Sequence, residues 1–376
     1  MNFDFQKKIF ISIKSLFFFL LFFISYNLIN STDEENKRMK YEINHIFKKL
    51  NKININDIYS KYHPIEQKKN YSIKNIINIE FTLDVGYILE TMLTIASIMA
   101  SQEKTTKIVF HFGVINNFKA KNMLKIYTLK NKINNLTEFN FYYLKGAMKK
   151  MKNFHFKGEA CPGKFELPQL LPDNIEKILL FDAGDIIILK DLNELYNYDM
   201  KNYWVLGLPE PWMIEKISDK YKMKKYINIG SLIINVTEFK KNDIWDKYTE
   251  NRNLELFGAV DQTLLNIIIP DDKKDYFPFR LGIYTTFLNE ECYYKNDYFD
   301  HGLKSWLSSE LNNLPDNPRN ITDYFSLIHN STFIHEFYGK WYDGLGLSFC
   351  RKLAKYFIKL AGIWEELCLK RPGYCK

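Results

Sequence analysis

Cysteine is scarce in this chain, five in 376 residues, and no two of them form a C-x-x-C pair. That argues against a structural zinc site, whose thiolates usually come in such pairs. Cys161, Cys292, Cys350, Cys368 and Cys375 suit an oxidising compartment, with up to two disulfides and one thiol left over. Charge of one sign is also lacking: 52 Lys+Arg against 44 Asp+Glu leave a mild +8 and no basic motif. Such a balance tolerates an anionic ligand, reads mostly as a solvated surface, and gives no reason to expect nucleic acid. The abundance of Lys, Asn and Ile is a compositional bias that carries no chemistry.

A long apolar run does occur at Ile9–Ile29, including Phe17–Phe23. As a helix it would span about 30 Å, one hydrocarbon thickness. Lys7, Lys8 and Lys14 precede or enter it, while Asp33, Glu34 and Glu35 follow. The positive-inside rule then puts residues 1–8 in the cytosol and everything after the segment in the lumen. A signal anchor is the favoured reading, since no A-x-A-like cleavage site follows; a cleaved signal peptide is the competing one. The N-x-S/T sequons at Asn30, Asn70, Asn135, Asn235, Asn320 and Asn330 agree with a lumenal location. Asn235 falls in an expected strand and is the least suited to modification.

Residues 30–72 are polar, charged and broken by His63-Pro64, and read as a stem. From residue 73 to 346 the chain alternates strand-like and helix-like segments. Strands are expected at Asn75–Thr82, Lys107–Val114, Asn140–Leu144, Trp204–Leu208 and Tyr226–Val236, the last leading into Glu238–Trp245, and helices at Leu89–Ser101 and Lys121–Lys130. Such alternation predicts an α/β domain with a mostly parallel sheet covered on both faces. Leu347–Lys370 predicts an amphipathic helix with an apolar stripe through Leu353, Phe357, Leu360 and Ile363. A membrane surface could take that stripe, but packing against the domain is the ordinary outcome.

The most informative stretch is Lys177–Leu189, K-I-L-L-F-D-A-G-D-I-I-I-L. Two apolar runs flank a break that presents Asp182 and Asp185. A polar turn would explain that pattern blandly. Carboxylates at the end of a sheet are also where open α/β folds bind ligands, and where a divalent cation can bridge protein to phosphate. Around it, in order, stand N-I-E-F-T-L-D-V-G-Y from Asn78, C-P-G-K-F-E-L-P from Cys161, Y-I-N-I-G-S-L-I-I-N-V from Tyr226 and V-D-Q-T-L-L-N from Val260.

These four segments together resemble glycosyltransferase family 8, retaining nucleotide-sugar transferases with the GT-A fold, from about Ile76 to about Lys340. The resemblance implies a UDP-sugar donor and a divalent metal, Mn²⁺ foremost, held by a D-x-D pair and a late histidine. Asp182 matches the first position. Asp185 is assigned the second, although D-A-G-D is one residue longer than the family motif. His335, in F-I-H-E-F-Y-G-K-W, matches the third, and Lys340 the lysine that contacts the diphosphate. Thr82, Asp84 and Tyr87 occupy the base-binding region, and Lys164 aligns with a basic donor contact. Asn228 and Gly230 line the sugar, and Asp261 and Gln262 stand beside the anomeric carbon. For Asp261 a helix cap is an equally physical role. The implied protein is a single-pass Golgi or endoplasmic-reticulum enzyme transferring a hexose to a glycan, protein or lipid acceptor. An inactive sugar- or protein-binding module on the same fold, and a nucleotidyltransferase, are the alternatives.

Overall fold

The computed structural model describes residues 72–115, 118–132, 136–144, 162–210, 213, 220–251, 260–284, 331–335, 357–363, 365, 366 and 369. The segment 9–29, the stem as far as Tyr71, all five cysteines and Lys340 lie outside them. Among the described residues no helix is long and apolar enough to cross a membrane.

The strands are β1 (Asn75–Leu83), β2 (Thr106–Val114), β3 (Thr137–Tyr143), β4 (Lys177–Phe181), β5 (Ile186–Ile188), β6 (Val205–Pro209), β7 (Ile227–Asn235), β8 (Lys274–Tyr276), β9 (Gly282–Tyr284) and β10 (Phe333–His335). Among the described residues the helices are α1 (Ile88–Ser101), α2 (Ala120–Lys132), α3 (Gly163–Leu170), α4 (Asn193–Tyr196), α5 (Val236–Lys241), α6 (Ile244–Asn251) and α7 (Val260–Ile268). Among the described residues seven strands form one sheet in the order β3-β2-β1-β4-β7-β6-β8. The first four run parallel, as the alternating segments require. β7 runs antiparallel to both β4 and β6, so the sheet is mostly parallel, as expected, with one reversed strand inside it. β5, β10 and β9 make a second, three-stranded sheet.

Why the sheet is buried on both faces is legible in β4. Ile178 and Leu180 join one core cluster, and Leu179 and Phe181 the other, as the two-residue period dictates. One cluster takes the inward face of β1 (Ile77, Ile79, Phe81, Leu83) together with Met92, Ile95 and Met99 of α1. Phe81, Phe110, Phe112 and Phe139 stack across neighbouring strands there, with Phe81 and Phe112 centroids 6.0 Å apart. Each buried ring contributes on the order of 2–3 kcal/mol of transfer free energy. The other cluster joins Phe165 of α3, Phe239 of α5, Tyr248 of α6 and Leu264 of α7.

One local expectation is corrected, the unbroken C-terminal helix, and two others gain detail. The segment Glu238–Trp245 that follows β7 runs through two helices, because Asp243 takes a positive φ of 50° between α5 and α6. Asn235 accepts a hydrogen bond from Glu238 N (3.0 Å) and so caps α5. In the C-terminal segment Phe357, Ile358, Ala361 and Ile363 are buried in the first core cluster, the packed outcome. That helix does not run through uninterrupted, since Gly362 adopts φ 69°.

Candidate active site

β4 ends at Phe181, and Asp182 N donates to Gly230 O at 2.7 Å, tying the aspartate to the start of β7. The chain then turns through Ala183-Gly184-Asp185 into β5. Gly184 has φ 83°, the left-handed region that favours glycine. Its N–H donates to Thr94 Oγ1 (3.2 Å), and that hydroxyl donates to Ile186 O (3.0 Å). The turn is thereby clamped onto α1. A Cβ at Gly184 would stand 2.4 Å from Glu90 Cβ and 3.2 Å from Glu90 Cα. Gly184→Ala is therefore expected to lose about 2–4 kcal/mol, from backbone strain plus the clash with a helix backbone, measured by urea unfolding.

The second sheet brings in the late histidine. β10 pairs antiparallel with β5 so that His335 faces Ile186, directly after the aspartate turn. Gly230 reports how close the groups come. A Cβ built there would lie 2.5 Å from His335 Cε1, 2.6 Å from Asp182 Oδ2 and 3.0 Å from Asn228 Oδ1. From α3, the Lys164 ammonium reaches Asp182 Oδ1 at 2.5 Å, with its own side chain almost wholly buried. Burial lowers the His335 imidazole to about 4, against the opposing pull of Asp182. It is thus neutral at physiological pH, the form that ligates metals. Burial raises the Asp261 carboxyl, an effect that Lys164 counters and Asp182 reinforces.

A carboxylate and a neutral imidazole facing one small space above Gly230 fit two positions of a divalent-cation site in kind. Asp185 stands at the far end of the turn. Among the described residues no group of three or more His, Cys, Asp or Glu side chains is gathered closely enough to hold a metal ion.

Beside this cluster lies a buried amide network. Asn228 Oδ1 accepts from Gly230 N at 2.7 Å, and Gln262 Oε1 accepts from Ile229 N at 3.2 Å and Asn228 Nδ2 at 3.0 Å. Both amide nitrogens also donate to a carboxylate that the sequence did not single out, Glu210. Asn228 Nδ2 meets its Oε1 at 2.5 Å and Gln262 Nε2 its Oε2 at 2.9 Å. A register shift between Gly207 and Pro209 ends the regular pairing of β6 with β7, the kind of bulge that re-aims a side chain beside a site. Glu210 N then donates to Tyr226 O at 3.0 Å. Burial pushes the Glu210 carboxyl up to about 7, with the Asn228 and Gln262 hydrogen bonds pulling the other way. In G-L-P-E-P the only hint was an acid between two prolines at a strand end.

Comparison with known proteins gives the family of the chain. The family model described as glycosyl transferase family 8 matches residues 78–276, just over half of the chain. The chain belongs to glycosyltransferase family 8. General stress protein A of Bacillus subtilis (strain 168) is 24% identical over 126 residues, 32% of this chain and 44% of that protein. The chain thus spans less than half the length of that relative. Among solved structures it resembles the bifunctional glycosyltransferase WbbM, with TM-score 0.57 and 15% identity over 82% of this chain and 53% of that one. It also resembles the galactosyltransferase LgtC solved with donor and acceptor sugar analogues, with TM-score 0.55 and 16% identity over 76% of this chain and 95% of that one. These likenesses carry the GT-A fold.

The remaining family 8 positions fall as follows. Thr82 ends on the face packed by Gly113 and Gly163, whose built Cβ atoms would lie 3.2 and 3.4 Å from its Cγ2. Asp84 accepts from Gly86 N at 2.7 Å and caps the short 3-10 turn Val85–Tyr87. All three base-region residues therefore sit at the C-terminal end of β1, next to the end of β4. Asp261 lies within the first turn of α7, which begins at Val260, two residues earlier than a cap on Asp261 would need. One further acid was not anticipated. Glu80 of β1 is fully buried, its oxygens lack a hydrogen-bond partner among the described residues, and burial raises it well above the usual carboxylate range despite Lys164.

Proposed function

We propose that this family 8 member transfers a hexose from a UDP-sugar to a lumenal acceptor with retention of anomeric configuration, assisted by a divalent metal. The observation that carries the reading is the convergence of Lys164, Asp182, Gly230 and His335 at the C-terminal end of β4, where open α/β sheets take their ligands. Asp182 and His335 would hold the metal, with Asp185 and the donor phosphates completing its shell. When bound, the ion supplies Lewis-acid stabilisation of the leaving diphosphate.

The chain's own residues do the rest. Lys164 brings a buried positive charge to the diphosphate side of the site, and Lys340 is assigned the second such contact. Asp84 and Tyr87 take the base, the first as acceptor and the second as a stacking surface. Gly230 leaves room for the sugar to approach the strand backbone. Asn228 orients the sugar hydroxyls, while Asp261 and Gln262 face the carbon at which positive charge develops. Burial of this wall excludes water, which favours transfer over hydrolysis. Residues 9–29 anchor the chain in a Golgi or endoplasmic-reticulum membrane, residues 30–72 form the stem, and the transferase domain, 73–346, lies in the lumen.

The test is product analysis with the intact chain, a panel of UDP-sugars and a series of acceptors, with and without Mn²⁺. Metal-dependent release of UDP, with the donor's anomeric configuration preserved in the product by NMR, is expected. Release of UMP or pyrophosphate would make the protein a nucleotidyltransferase instead. No turnover and no donor binding would leave a binding module.

A further inference from the structure

Two backbone amides settle how the amide side chains beside the sugar are oriented. Ile229 N and Gly230 N can only donate, so the atoms they meet, Gln262 Oε1 and Asn228 Oδ1, must be oxygens. The nitrogens of both amides consequently point the other way. Both converge on Glu210, which must accept two hydrogen bonds, one on each oxygen. Asn228, Gln262 and Glu210 are all nearly inaccessible to solvent, so water offers no alternative partner. A carboxylate satisfies this demand. A carboxamide at the same place cannot, because one of its two ends would present N–H to N–H.

We propose that Glu210 is a positioning residue whose two carboxyl oxygens, each accepting one amide N–H, lock Asn228 and Gln262 in the orientation that serves sugar transfer. It acts through the two amides and is not itself assigned a contact to the donor. The proposal rests on the donor-site reading above. Hydrogen bonds to a charged acceptor in a dry interior are stronger than neutral ones and polarise the groups that make them. The lock therefore also makes the amide oxygens more negative beside a centre that becomes positive in the transition state.

Swapping the chemistry tests this. In Glu210→Gln the volume is kept but one hydrogen bond is inverted, so Asn228 or Gln262 must turn against Gly230 N–H or Ile229 N–H. In the double variant Glu210→Gln/Gln262→Glu every pairing can be made again: residue 210 accepts from Asn228 and donates to residue 262, and residue 262 accepts from Ile229 N and Asn228. The single variant is expected to melt about 4–8 °C lower, and the double variant to regain most of that loss. Turnover of the preferred UDP-sugar by Glu210→Gln should fall at least about 30-fold in kcat, while affinity for UDP, which lacks the sugar, stays within about two-fold.

Equal melting temperatures for wild type and Glu210→Gln, or a double variant no more stable than the single one, would overturn the lock. An unchanged kcat in Glu210→Gln would overturn its part in transfer. If the wild type turns over no UDP-sugar, the donor-site reading fails and the role in transfer fails with it. The melting temperatures still decide the amide lock independently.

Discussion

Asp182→Asn is expected to reduce UDP-sugar turnover by about 10²–10³-fold with a nearly unchanged fold. The substitution keeps the shape of the side chain and leaves the hydrogen bond from residue 182 N to Gly230 O in place. It removes the negative charge that pairs with Lys164 at 2.5 Å and faces His335 across Gly230. Asp182 is partly open at the mouth of the site, with a side-chain exposure of 28%, so the loss of charge reaches whatever binds there. UDP release measured alongside thermal melting separates the two effects. A variant that melts like wild type and turns over normally would remove Asp182 from the chemistry.

Gly230→Ala is the second large effect. The backbone there is ordinary strand, so no strain at φ is involved. The cost is contact: the new methyl would stand 2.5 Å from His335 Cε1 and 2.6 Å from Asp182 Oδ2, inside any real carbon contact. Either side chain must shift, and a displacement near 1 Å in a positioned catalytic group costs on the order of 10²-fold. Activity of Gly230→Ala is thus expected to collapse by about that factor, read by the same UDP release. Its melting temperature should fall less than that of Gly184→Ala, whose methyl meets the backbone of α1. If Gly230→Ala retained full activity, the space above Gly230 would not be where the donor sits.

The parts of this account that were legible in the sequence are those set by local pattern. The strands β1, β2 and β7 read from segments rich in Ile, Val and Phe, α1 from its 3.6 period, and the aspartate turn from polar residues between two Ile/Leu runs. What could not be read was the assembly. His335 lies some 150 residues beyond Asp182, and only the pairing of β10 with β5 puts them side by side. Nothing local says that β7 reverses direction in the middle of the sheet, yet that reversal sets Gly230 opposite Asp182 and Asn228 beyond the end of β4. Glu210 was invisible for a related reason. An acid between prolines reads as a loop, and its burial follows from a bulge and from two partners brought by β7 and α7.

The most direct test of the central claim is calorimetric titration of UDP into the intact chain with and without Mn²⁺, repeated for Asp182→Ala and His335→Ala. The account predicts UDP binding that strengthens at least about ten-fold with the metal in wild type, a gain of about 1.4 kcal/mol, and that loses this dependence in both variants. Metal-independent UDP binding of equal strength in all three proteins would contradict it.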